Sequence, residues 1–248
     1  MKTDKTQSTV LGILFIAVMV TWSFGFALIN PIINAADFLT QVNKNTISLL
    51  IGVCMEFLEM LCVIGIVVTV YPLMKKFNER FALWYSFVRI LEVVTLLSIA
   101  LCGIFLIPLS HLYLESTDLE ISTLEKMGVL LVQIREKWTG LPISIFYGTS
   151  AIVFQYFLYK TRLVPSFISI WGIISAILVL LVSPFEMLGY DFLGFVGISM
   201  GLNEIFLGIW LVVKGFNESN KDENANDEIP KAFFENENNR FIFPMMFL

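Results

Sequence analysis

Apolar residues run along this chain in six long stretches separated by short polar turns. They cover Val10–Ile29, Ile47–Tyr71, Phe81–Ile107, Leu141–Tyr159, Ser166–Phe185 and Phe192–Val213. Each is close to or above the ~20 residues a helix needs to cross a hydrocarbon core of ~30 Å. Prolines punctuate the pattern: Asn30-Pro31 ends the first stretch, Tyr71-Pro72 closes the second, Pro108 stops the third and Pro165 precedes the fifth. Lys2 and Lys5 precede the first stretch, and Ile33-Asn34-Ala35 could pass for a cleavage site. The stretch is longer than the roughly 7–15 apolar residues of a signal peptide, so a retained helix is expected.

The longest polar loop follows the third stretch and carries Glu115, Asp118 and Glu120. Ser122 and Glu125 have capping-box spacing. Leu124, Met127, Leu131, Ile134 and Trp138 then recur at helical intervals beside Lys126, Arg135 and Lys137. This predicts an amphipathic helix on the membrane surface or leading into the fourth span. The fold expected is thus an all-α integral membrane protein, a bundle of six transmembrane helices with an amphipathic helix between spans three and four. That domain occupies residues 1–216. After Phe216 the chain turns to Asn, Glu and Asp, and 217–248 is expected to be a disordered cytoplasmic tail. Its apolar end, Phe241–Leu248, is too short to span.

Composition agrees. The 248 residues are 57% hydrophobic and 15% charged, against about 25% charged in soluble domains. The net charge of -5 owes much to the tail, and no basic patch with interleaved aromatics points to nucleic acid. Cys54, Cys62 and Cys102 all lie in apolar stretches with no CxxC pair, so packing is their expected role. With one histidine, His111, the chain lacks a zinc-type ligand set and a Ser-His-Asp triad, and no Gly-rich phosphate loop occurs. No enzyme, metal or cofactor is expected. Gly12, Gly52, Gly65, Gly172 and Gly208 suit close helix packing.

Orientation follows from the basic residues of short loops. With the N-terminus inside, Lys2, Lys5, Lys75, Lys76, Arg80, Lys160, Arg162 and Lys214 fall on the inner side. Lys44, Lys126, Arg135 and Lys137 fall outside. The bias places both termini in the cytoplasm.

Five ionisable residues interrupt the apolar stretches: Glu56 and Glu59 in the second, Arg89 and Glu92 in the third, and Glu204 in the sixth. Charge at bilayer depth is costly and marks pairing, a bundle interior or a path for ions and substrates. A rise of ~1.5 Å per residue puts Glu59 ~18 Å, Glu92 ~16 Å, Glu204 ~15 Å and Arg89 ~12 Å from the inner ends of their helices. Four charges therefore share one midplane layer, with Glu56 a turn nearer the outside. Two readings stand open. Arg89 could clamp spans two, three and six together through one or two carboxylates, leaving the other glutamates protonated. Alternatively, the surplus acids form a proton- or cation-linked site.

Several stretches resemble a known family. They are Tyr71-Pro72-Leu73, Asn78-Glu79-Arg80-Phe81-Ala82-Leu83, Arg89-Ile90-Leu91-Glu92, Leu163-Val164-Pro165 with Trp171-Gly172, and Glu204 leading to Trp210-Leu211-Val212-Val213-Lys214-Gly215-Phe216. Together they are similar to an uncharacterised bacterial family, domain of unknown function 4386, over about Val10 to Phe216. The resemblance implies a multi-helix bacterial membrane protein and carries Arg89, Glu92 and Glu204 as motif positions. It implies no activity, and the acidic tail departs from it.

The functional expectation is a protein of the bacterial cytoplasmic membrane that binds or transports a small solute or ion. Proton linkage would run through Glu59, Arg89, Glu92 and Glu204, with Glu56 peripheral. The alternative is a non-catalytic sensor or accessory subunit in which the cluster is only a clamp. Beyond lipid, the partners left open are that solute and a second copy of the chain, since six helices are few for a transporter and no inverted repeat is obvious.

Overall fold

The computed structural model describes residues 5–138, 140–188 and 193–217. The acidic tail from 218 onward, with its apolar end, lies outside them. Eight α-helices make up the described chain: α1 (Lys5–Ile33), α2 (Phe38–Lys44), α3 (Thr46–Phe77), α4 (Glu79–Glu115), α5 (Asp118–Gln133), α6 (Gly140–Thr161), α7 (Ser166–Met187) and α8 (Leu193–Val213). A π-turn, Ile134–Trp138, links α5 to α6.

Six helical stretches are long and apolar enough to cross a membrane: α1, α3, α4, the run Glu120–Thr161, and most of α7 and α8. Their burial pattern is that of a protein solvated by lipid. Leu61, Val68, Phe87, Leu181 and Val213 point outward, while Glu59, Arg89, Glu92, Gln155, Asn203 and Glu204 are buried. In water this arrangement would forfeit the hydrophobic effect; in hydrocarbon it hides the polar groups. Buried hydroxyls turn back to their own helices, as Thr21 Oγ1 does to the Ala17 carbonyl at 2.8 Å.

Three prolines do not end helices as the sequence pattern suggests. Pro31, Pro72 and Pro108 lie inside α1, α3 and α4, which continue to Ile33, Phe77 and Glu115. Inside a membrane bundle, neighbouring helices and side chains re-satisfy the carbonyls a proline frees. The break between α3 and α4 is instead one residue. The Asn78 side chain accepts hydrogen bonds from the Arg80 and Phe81 amides at 2.9 and 3.3 Å and caps α4.

The loop after α4 also differs. Helix α5 starts at Asp118 rather than at the Ser122–Glu125 box, and Glu125 accepts the Tyr113 hydroxyl at 3.0 Å instead of capping. Leu124 and Leu131 pack on the core, while Met127, Val129 and Leu130 are exposed. Helix α2 was not foreseen; it packs Leu39 and Val42 into the same core.

Each spanning helix touches the next, and α8 closes on α1, so the six form a ring in the order α1, α3, α4, α6, α7, α8. Glycine makes the closure possible. A Cβ on Gly12 would lie 2.6 Å from the Gly208 carbonyl oxygen, and one on Gly208 would lie 3.1 Å from that of Gly12. The other glycines singled out from sequence are also tight, with a Cβ at 2.5 Å (Gly52), 3.1 Å (Gly65) and 2.4 Å (Gly172) from neighbouring side chains. Cys62 and Cys102 are buried as expected, but Cys54 faces outward.

The two halves of the ring's length are unlike. Near the Lys5 end of α1 the interior is filled: Phe15 stacks on Phe154 at 5.5 Å, Tyr85 lies 5.9 Å from Phe154, and Leu11, Leu158 and Leu207 are fully buried. Toward the Ile33 end the packing splits. One cluster joins α1, α2, α3 and α4 around Ile29, Val53 and Leu96; another joins α6, α7 and α8 around Ala151, Ala176 and Met200.

Candidate functional site: a charged layer beneath an interior cavity

Between those clusters lies a cavity of about 880 Å³. Glu56, Glu59, Arg89, Glu92 and Glu204 all line it, so the structure brings together every site residue picked out from sequence. Glu59 comes from α3, Arg89 and Glu92 from α4, and Glu204 from α8. Their charges are near enough to act on one another: Glu59 feels Glu56, Glu92, Glu204 and Arg89.

The pairing differs from a clamp across three helices. Arg89 Nη1 donates to both carboxylate oxygens of Glu92, each at 2.8 Å, and the pair is buried within α4 itself. Residues three apart share a helix face, so the short reach to Glu92 wins over a reach to another helix. The Arg89 guanidinium also lies 5.9 Å from the Tyr85 ring centroid, and its Nε is buried without a hydrogen-bond partner among the described residues. Tyr147 of α6 lies against the Glu204 carboxylate, and Ser150 against Glu92.

The clamp between elements is elsewhere. Arg135, in the π-turn, turns into the bundle and forms an ion pair with Glu56 of α3. Its Nη1 lies 3.3 Å from Glu56 Oε2 and donates to the Ile99 carbonyl of α4 at 2.7 Å. A π-turn is a wide, uncommon turn often found at functional sites, and here it aims a guanidinium inward. Sequence reasoning placed Arg135 on an outer surface, because no apolar run encloses it. The signal was charge balance: four interior acids with one interior base leave three acids unmatched, and the sequence does not mark Glu56 as the one that a further cation meets.

Two carboxylates remain. Glu59 and Glu204 are 7% and 6% exposed, and neither forms an ion pair among the described residues. Glu59 also has no hydrogen-bond partner there. Glu136, Lys137 and Asn30 line the opposite, more exposed end of the cavity. Trp22 and Phe26 of α1 line its side, a role no sequence signal marks. Among the described residues, no three His, Cys, Asp or Glu side chains are placed to hold a metal ion. His111 is exposed on α4, away from this layer.

Fold and site together define a multi-pass helical membrane protein with a charged layer beneath an interior cavity. The chain belongs to the family described as domain of unknown function (DUF4386), whose model matches residues 10–215. Neither the curated proteins nor the solved structures hold a match to it. Residues of the stretches that carried the resemblance have local work in this fold. Asn78 caps α4; Gly215, at φ 77°, turns the chain out of α8 so that the Asn217 amide reaches the Leu163 carbonyl at 2.8 Å. Gly172 lets Gln155 and Asn203 meet at 2.9 Å.

Proposed function

We propose that this protein binds a small solute or ion in its interior cavity, and that Glu59 and Glu204 exchange protons as the occupant arrives and leaves. One observation carries the reading: carboxylates outnumber the arginines that could neutralise them. Glu92 already meets Arg89, and Glu56 already meets Arg135. Glu59 and Glu204 remain deep in the bundle, facing open volume. A buried carboxylate needs compensation, and a proton or a bound cation supplies it. The volume is of the size that takes small organic ligands.

The reading involves binding and proton exchange and no bond-making step. The excess of Lys and Arg at one set of helix ends supports placing both termini in the bacterial cytoplasm. The cavity's exposed end, at Glu136 and Lys137, then faces outward.

A second reading, a sensor or accessory subunit held by a structural clamp, draws on the Arg135–Glu56 pair. The two separate in a proton-release assay. Detergent-solubilised protein in weak buffer with a pH dye is titrated with sodium, potassium, choline, an amino-acid mixture and tetraphenylphosphonium. At least one is expected to release protons from the wild type, and Glu59→Gln and Glu204→Gln should each diminish that release while folding normally. Should none release protons, and both variants melt like the wild type, the clamp reading takes its place.

A further inference from the structure

The cavity has a side as well as an end. The α1–α4 group and the α6–α8 group meet along the filled half of the ring and part along the hollow half, which leaves a seam on each flank. The seam between α4 and α6 is covered by the π-turn, where Arg135 holds Glu56 and the Ile99 carbonyl and Ile134–Trp138 contacts both helices. Among the described residues no such cover lies over the seam between α1 and α8. These helices cross tightly at Gly12 and Gly208. A Cβ on Gly201 would meet only Met19 Cε, at 3.0 Å, and one on Gly197, a turn further along, would meet nothing within 4 Å among the described residues. Facing them on α1 are Trp22 and Phe26, which line the cavity yet are 51% and 53% exposed. Their rings stack on each other at 5.7 Å.

The geometry points to a lateral portal between α1 and α8, lined by Met19, Trp22, Phe26, Gly197 and Gly201, through which an amphipathic organic cation dissolved in the bilayer reaches Glu59 and Glu204. The charge follows from the wall of the cavity, which carries five acids (Glu56, Glu59, Glu92, Glu136 and Glu204) against three bases (Arg89, Arg135 and Lys137). Both arginines are engaged with carboxylates, so the deep groups left for a ligand are acidic. An anion would find no open deep base; a cation finds two carboxylates. The apolar body follows from the α1 wall, where Val18, Met19, Trp22, Phe26 and Ile29 flank the path. Trp22 offers a cation a π-face beside the opening. The lateral route follows from exposure: Trp22 and Phe26 sit where lipid would meet the cavity directly. The glycines opposite them leave width that larger side chains would close.

This inference rests on the cavity reading above, and the experiment separates the two. Tetraphenylphosphonium and tetraphenylborate share a shape and differ in the sign of their charge. Both are titrated into wild-type protein in lipid nanodiscs, with intrinsic tryptophan fluorescence as readout. The phosphonium is expected to bind and the borate not. Glu59→Gln combined with Glu204→Gln should weaken phosphonium binding by about tenfold or more. Gly197→Trp, which narrows the portal, should slow both association and dissociation by about tenfold or more. A variant that merely damaged the site would release the ligand faster. Borate binding equal to that of the phosphonium would overturn the cationic class. Unchanged rates in Gly197→Trp would overturn the portal. If neither ion binds while another solute releases protons, this inference falls and the cavity reading stands. If neither binds and no solute releases protons, both fall.

Discussion

At the scale of single residues, the interior charges divide into pairs and remainders, and that division decides what each substitution should do. Arg89 and Glu92 satisfy one another within α4, so removing one leaves the other buried and alone. Arg89→Ala should cost about 3–5 kcal/mol, and adding Glu92→Gln should recover much of it. Thermal midpoints in one detergent check this; a double variant no better than the single would mean Arg89 serves groups besides Glu92. Arg135 and Glu56 join separate elements, so the exchange Arg135→Glu with Glu56→Arg should restore part of what either change alone removes. Glu59→Gln should leave the midpoint within about 1 kcal/mol of wild type, because no ion pair is broken. The residues of the layer were legible in sequence, since a charge inside an apolar run is conspicuous and a helix's rise gives its depth. Their partners were not. Spacing of three implies a shared face but does not say whether Arg89 stays within its helix. Arg135 was hidden because its depth depends on a π-turn that no local pattern announces.

The elements show where periodicity suffices and where packing overrides it. Six apolar runs became six spans because lipid rewards length and hydrophobicity alone. Pro31, Pro72 and Pro108 read as stops, yet the helices run through them, since a bundle can re-satisfy a carbonyl that water-soluble segments would leave to solvent. The Ser122–Glu125 box was a true spacing with a false consequence: α5 begins a turn earlier, and Tyr113 takes the Glu125 carboxylate. Helix α2 is too short to give a periodic signal. The glycines were legible as close-packing sites, although nothing in the sequence paired Gly12 with Gly208. That crossing closes the ring, so Gly12→Leu should force α1 and α8 apart and cost about 1–3 kcal/mol or more. Gly140, whose Cβ would meet nothing within 4 Å among the described residues, is the control, and Gly140→Ala should be close to neutral in the same melting assay.

At the scale of the whole molecule, ring order and hollowness come from tertiary packing, and neither composition nor periodicity contains them. The ring is filled by aromatic and aliphatic side chains in one half and open in the other, with Glu59, Arg89, Glu92 and Glu204 at the boundary. The most direct measurement is the water accessibility of that boundary. In a background with Cys54, Cys62 and Cys102 replaced by serine, Glu59→Cys and Glu204→Cys are each exposed in sealed vesicles to a membrane-impermeant thiol reagent, from one side and then the other. The cavity opens toward Glu136 and Lys137, so both variants should label from that side and resist from the side of Lys5 and Lys214. Failure to label from either side would describe a dry, closed cluster and contradict the binding cavity.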